Sequence, residues 1–109
     1  MVDFPQDDSE NKFNSFSEFY LFYLSEHQNR ISRRLHFSGT LLVMVLLVLS
    51  ALFQMPWLLV MLPVVGYGFA WVGHFVFEKN RPATFRHPFY SLMGDFVMFK
   101  EMLTGKITF

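Results

Sequence analysis

The sequence predicts an all-α fold, a membrane helical hairpin of two transmembrane helices flanked by N- and C-terminal amphipathic helices. Three observations carry the prediction. No Asp, Glu, Lys or Arg occurs from Phe37 to Gly73, a run far longer than the roughly 20 apolar residues that one bilayer crossing needs. The segment Phe53-Gln54-Met55-Pro56-Trp57 breaks that run near its middle. Apolar residues then recur at helical spacing on both sides of it. Residues 1–14 read as a flexible acidic arm and 15–109 as a single helical membrane domain, with transmembrane passes at about 37–53 and 57–77.

Composition narrows the function. The 109 residues are 52% hydrophobic, with 15 Phe and 7 Met, rich for a soluble domain. The formal net charge is zero, so nothing points to nucleic acid or to steering of a charged partner. There is no cysteine, which removes disulfides, thiolate zinc sites and iron–sulfur clusters together. Any metal must be held by nitrogen and oxygen ligands. No nucleophile motif and no glycine-rich phosphate loop is present, which argues against acyl transfer and nucleotide chemistry.

In chain order, Val2–Asn14 is polar and acidic, without the basic and apolar regions of a signal peptide. Ser15-Phe16-Ser17-Glu18 is a capping box that starts the first amphipathic helix. Phe16, Phe19, Tyr20, Tyr23 and Leu24 form its apolar stripe. The first pass follows the basic residues Arg30, Arg33 and Arg34, and the second precedes Lys79, Arg81 and Arg86. The turn between the passes has no basic residue, so the positive-inside rule places both termini in the cytoplasm. The membrane would be the inner membrane in a bacterium or the endoplasmic reticulum in a eukaryote. A hairpin dipping into one leaflet, or a buried soluble hairpin, is the alternative. Pro56 suits a first helical turn, and Trp57 suits the interface. Pro63, Gly66, Gly68 and Gly73 make the second pass kinkable and closely packed. Both passes are short for a bilayer. Pro88 opens the last helix, with Phe89, Leu92, Met93, Phe96, Val97 and Met102 as its stripe and Gly105 as its stop. Such stripes pack on other helices or lie in the lipid interface more often than they bind a cofactor.

The four histidines flank this hairpin symmetrically. His36 and His74 lie equally far on either side of Met55, and His27 and His87 form an outer pair. A hairpin brings the inner two to the same depth at the same face, and four imidazoles at one membrane surface suggest a metal site. Taken alone, His74 reads equally as an interfacial histidine paired with Glu78 one turn later, and His36 as a snorkelling residue. His87 could simply cap a helix before Pro88. The metal reading makes a structural demand. Nine residues put His27 and His36 on opposite faces of an unbroken helix, so the chain must break between them, near Gln28-Asn29-Arg30. Pro82 and Pro88 relieve the same difficulty between His74 and His87. Imidazole suits zinc, copper, iron and nickel alike. Glu26, Glu78, Asp95 and Glu101 are carboxylates within reach.

Two blocks of the chain resemble a known family. They are Tyr23-Leu24-Ser25-Glu26-His27-Gln28-Asn29-Arg30, continued by Leu35-His36-Phe37-Ser38-Gly39-Thr40, and the more specific Gly73-His74-Phe75-Val76-Phe77-Glu78-Lys79-Asn80-Arg81-Pro82-Ala83. They are similar to the small membrane-protein family, formerly a domain of unknown function, that includes the fungal 2-hydroxy fatty acid dioxygenase. The resemblance runs from about Phe19 to Lys106. The fungal protein has further apolar segments between the two blocks, where a single hairpin joins them here.

The resemblance implies an iron(II)-dependent dioxygenase of fatty acid α-oxidation, acting on a 2-hydroxy fatty acid and O2. It implies Fe(II) as cofactor, with His27, His36 and His74 matching the family's histidines as metal ligands or close partners. His87 lies outside the firmest block and is the fourth candidate ligand. Glu78 and Arg81 match the second block and stand as candidate catalytic residues. The expected partners are a fatty acyl substrate, O2 and membrane lipid, with no nucleic acid; no motif specifies a homo-oligomer, although so small a chain suits one. Two other functions compete: a bis-histidine haem membrane protein, and a non-enzymatic packing or assembly protein with decorative histidines.

Overall fold

The described residues form four α-helices, α1 (Phe16–Ser25), α2 (Arg30–Leu52), α3 (Met61–Val72) and α4 (Pro88–Leu103). They are seen in a computed structural model that describes residues 13–109, so the acidic arm falls outside the described residues except for Phe13 and Asn14. A 3₁₀ segment, Pro56–Val60, leads into α3, and a π-helical turn, Gly73–Glu78, leads out of it. No strand occurs among the described residues.

The capping box works as read, with one displacement. Ser15 Oγ accepts from the Glu18 N–H at 3.3 Å, while Glu18 Oε1 accepts from Asn14 N–H at 3.1 Å, one residue before the cap. At the far end α1 stops at Ser25, and Asn29 begins a new helix. Its Oδ1 accepts from the N–H groups of Ile31 and Ser32, at 2.8 and 3.1 Å, satisfying donors that a helix start leaves free. The break demanded between His27 and His36 is therefore present.

The two hairpin arms are longer than the uncharged run suggested. Arg30–Leu52 and Pro56–Glu78 are each 23 residues, about 34 Å at about 1.5 Å per residue, against a hydrocarbon core of about 30 Å. Helix continues through Arg30, Arg33 and Arg34 because the Asn29 cap lies before them and arginine is a good helix former. Gln54 takes a left-handed conformation between the arms (φ 52°), and Ser50 Oγ donates to the Met55 carbonyl at 3.1 Å. Two glycines leave no room for a side chain between the arms. A Cβ on Gly39 would stand 2.9 Å from Phe69 Cβ, and one on Gly73 would stand 2.8 Å from Ser32 Oγ.

Little of the hairpin is buried. Val48 is 56% exposed, Val64 61%, and Leu52 and Val60 69% each, an apolar surface too extensive for a water-facing monomer. Both arms are long and apolar enough to cross a membrane. The core proper lies elsewhere, between α1 and α4, where Phe19, Tyr23, Met98 and Met102 are buried. Two tyrosines tie these helices together. Tyr20 O–H donates to Glu101 at 2.6 Å and Tyr23 O–H to Asp95 at 2.5 Å. This α1–α4 cap sits on the open end of the hairpin, with Phe37 of α2 stacked on Phe99 of α4 at 4.5 Å. Along α4, Phe89, Leu92, Met93 and Phe96 form an exposed apolar stripe, whereas Met102 turns inward with Ser91, Gly94 and Met98. The helix is apolar on two faces, which one sequence stripe did not separate.

Candidate metal centre

Three of the four histidines meet where the cap joins the hairpin. His27 comes from the α1–α2 break, His36 from the second turn of α2, and His74 from the π turn that follows α3. All three are buried. Their ring centroids are 4.4, 4.5 and 5.0 Å apart, and one ring nitrogen from each lies within 4.8 Å of the others.

The outward nitrogen of each ring faces an oxygen. His27 Nδ1 donates to the Tyr23 carbonyl at 2.7 Å, and a carbonyl only accepts. His74 Nδ1 donates to Asn80 Oδ1 at 2.6 Å, the amide being oriented by its own NH2, which donates to the Glu26 carbonyl at 3.1 Å. His36 Nδ1 faces Asp95 Oδ1 at 3.4 Å. With their protons on Nδ1, His27 and His74 each carry an inner Nε2 lone pair. His27 Nε2 and His36 Nε2 are 3.1 Å apart, a hydrogen bond when His36 keeps its proton on Nε2 and a pair of facing acceptors when that proton sits on Nδ1 beside Asp95. A cation would satisfy both nitrogens in place of that proton, and the separation fits two ligands on one ion with bonds of about 2.1 Å. Outer carboxylate, amide and carbonyl partners are what metal-bound imidazoles characteristically have. Burial, then the neighbouring rings of His36 and His74, hold His27 well below the ordinary imidazole range, in the neutral form that a metal requires.

The π turn explains how Asn80 comes back to His74. It inserts extra backbone into the helix end, Lys79 turns left-handed (φ 61°), and Asn80 N–H donates to the His74 carbonyl at 3.0 Å. Such turns frequently mark functional sites. Tyr23 adds a ring stacked on His27 at 4.1 Å.

The remaining candidates are placed apart. His87 precedes α4 with its ring against Phe13 and Phe19, at 5.1 and 5.5 Å, and is not brought into the histidine cluster. Glu78 Oε2 accepts from Asn29 N–H at 2.8 Å, joining the ends of the two hairpin arms. Arg81 lies over the Phe85 ring at 5.7 Å. Arg33 donates to the carbonyls of His27 and Gln28, and Arg34 Nε to that of Phe109. Asn80 sits in the specific second block, but its role was hidden because an ordinary helix would carry it away from His74. Asp95 was visible only as one of four carboxylates.

The space beside the three rings is about 20 Å³, room for an ion or a water but not for a porphyrin. A larger cavity of about 330 Å³ begins at His36 and Asp95 and is lined further on by apolar groups of α2, α3 and α4.

A hairpin long enough to span a bilayer, capped by two helices with three histidines converging at the junction, defines a class: a small helical protein built around a candidate nitrogen-ligand metal centre. The family model described as 2-hydroxy-palmitic acid dioxygenase Mpo1-like matches residues 13–107, and the chain belongs to this Mpo1-like family. Comparisons with curated proteins and with solved structures give no match.

Proposed function

We propose that the chain is an iron(II)-dependent dioxygenase that converts a 2-hydroxy fatty acid and O2 into a fatty acid one carbon shorter, CO2 and water. The observation that carries the reading is the convergence of three buried imidazoles, each with an oxygen beside its outward nitrogen. The family's description as a dioxygenase supports the choice of metal, since zinc has no redox chemistry to offer O2. His27, His36 and His74 would hold the ion, leaving positions for oxygen and substrate as non-haem iron oxygenases require. Iron(II), when bound, supplies the electron transfer that couples O2 to cleavage of the C1–C2 bond. The stoichiometry balances without a further reductant. C1 leaves as CO2, C2 becomes the new carboxyl carbon, and the four electrons released match the four that O2 accepts.

The chain's own residues position and exclude. Asp95, Asn80 and the Tyr23 carbonyl keep the rings in one tautomer, and the Phe19–Tyr23–Met98 core shields the site on the cap side. Glu78 acts in this reading by holding the start of α2 against the end of the second arm. Both termini are cytoplasmic, in a bacterial inner membrane or the endoplasmic reticulum, because Arg30, Arg33, Arg34, Lys79, Arg81 and Arg86 all flank the open end of the hairpin.

Metal analysis of anaerobically purified protein, wild type beside His74→Ala, tests the reading. The expected result is about one non-haem iron per chain, lost in the variant, with CO2 and the shortened acid released from 2-hydroxypalmitate. Wild-type protein that binds no iron on anaerobic reconstitution would sink it.

A further inference from the structure

The larger cavity has a polar end and an apolar remainder. His36, Tyr67, Thr84 and Asp95, which also border the space beside the three rings, stand at one end with Thr40 one turn along from His36; Val43, Leu62, Gly66, Leu92 and Phe96 line the rest. Its geometry follows from helical spacing. Leu62, Gly66, Ala70 and His74 recur every fourth residue, on one face of the second arm. The two residues next below His74 on that face are small, so space is left beneath the histidine cluster rather than filled by a side chain. On the first arm His36, Thr40 and Val43 form the facing wall. Leu92 and Phe96 of α4 close the third side, and both belong to the exposed stripe of that helix, continuous with the apolar outer surface of the hairpin.

We propose that this cavity is the slot for the alkyl tail of the substrate, entered sideways from the lipid beneath α4, and that Gly66 sets the depth to which the tail can pass. The inference rests on the oxygenase reading for the identity of the head group, but the slot itself is a binding site with its own readout. The occupant is a single acyl chain, argued from the polarity of the two ends. A carboxylate and hydroxyl belong beside His36 and Asp95, and a methylene chain belongs along Val43, Leu62 and Phe96. Gly66 lies about 12 Å below His74 at about 1.5 Å per residue. A Cβ there would meet only Val43 Cγ2, at 3.4 Å, so an alanine fits, but a leucine must occupy the slot. An octanoyl tail ends short of this depth and a palmitoyl tail passes it.

The test uses photo-crosslinking in lipid nanodiscs with 2-hydroxypalmitate carrying a diazirine near its methyl end, on wild type, Gly66→Leu and Gly68→Leu. A Cβ on Gly68 would have nothing within 4 Å and would face open space, so a leucine there controls for bulk in the same helix. Wild type and Gly68→Leu are expected to label Val43, Leu62 or Phe96. In Gly66→Leu, competition by 2-hydroxypalmitate should weaken about tenfold or more, the scale of a blocked hydrophobic pocket, with 2-hydroxyoctanoate changed by less than about twofold. Bound iron should be retained in that variant, which shows that it folds. Labelling spread over outward residues such as Val48 and Val64, indifferent to Gly66, would overturn the slot while leaving the oxygenase reading to turnover. Labelling of the slot in protein that turns over no 2-hydroxy acid would uphold the slot and remove the oxygenase reading.

Discussion

Asp95 joins the two parts of the molecule at a single oxygen. Its Oδ1 accepts from Tyr23 of the cap and faces His36 of the hairpin, so it both ties α4 to α1 and fixes a candidate ligand. Replacing it by asparagine keeps the shape and removes the charge that favours an Nδ1 proton on His36. Asp95→Asn should bind iron about 10–100-fold more weakly, the usual effect of losing such a partner, in competition with a coloured chelator. Unchanged affinity would reduce Asp95 to a tie between helices. His27 gives a second residue-level expectation, from its neutral buried state. Its folded pKa lies well below the ordinary value, with burial the largest cause. Below about pH 6.5 the unfolded chain takes up a proton that the folded chain refuses, so stability is full above that pH and falls as the solution is acidified. Metal-free protein should lose up to about 1.4 kcal/mol per pH unit from this group, read from melting temperature against pH, and His27→Phe should show a flatter slope. An identical slope would assign the effect to other groups. At this scale three of the four histidines were legible, because hairpin symmetry and the family blocks both pointed to them. His87 shares the symmetry but not the site, since the chain after Pro82 turns it towards Phe13 and Phe19. Asn80 was not legible, because its contact depends on a winding that residue spacing does not reveal.

The elements divide in the same way. The metal reading required a break between His27 and His36, and Asn29 provides it as an N-cap. Longer arms and the π turn did not follow. Arginines that look like a helix's flank can form its first turns, and six residues from Gly73 to Glu78 read as ordinary helix until Asn80 is seen bonded back to His74. That turn is supported by close packing at its start. Gly73 lies against Ser32, whose Oγ is buried with no hydrogen-bond partner among the described residues. Gly73→Ala should therefore destabilise by about 1–3 kcal/mol through overpacking. Ser32→Ala should cost little, because it removes a hydroxyl that has no bond to lose. The double variant should recover much of the loss, since the clashing oxygen is gone. Thermal unfolding of all four proteins in the same detergent measures the coupling, and simple additivity would show that Gly73 is needed for backbone reasons instead.

The molecule as a whole has its core at one end and its apolar surface at the other, the division that the membrane reading predicts. Buried Phe19, Tyr23, Met98 and Met102 sit in the cap, where water requires a core. The arms leave Leu52, Val60 and Val64 outward, where lipid would accept them without cost. The histidine cluster lies at the boundary between these regions, with the cap above it and the acyl-sized cavity below. An amphiphile held in lipid would present its head at that boundary. In the proposed reading, charge gives this arrangement its orientation. All six of Arg30, Arg33, Arg34, Lys79, Arg81 and Arg86 lie at the cap end, and the Gln54 turn has no basic residue, so the cap should face the cytoplasm. The natural absence of cysteine makes this directly measurable. Single cysteines at Gln54 and at Lys106 are expected to give opposite results with a membrane-impermeant maleimide. In right-side-out vesicles of a bacterial inner membrane only the Gln54 position should react before permeabilisation, and in sealed endoplasmic reticulum microsomes, whose cytoplasmic face is outward, only the Lys106 position should. The opposite single-site pattern would invert the cap, and reaction of both without permeabilisation would make the hairpin re-entrant. Protection of both until permeabilisation would leave the turn inside the membrane, and two crossings would then be wrong.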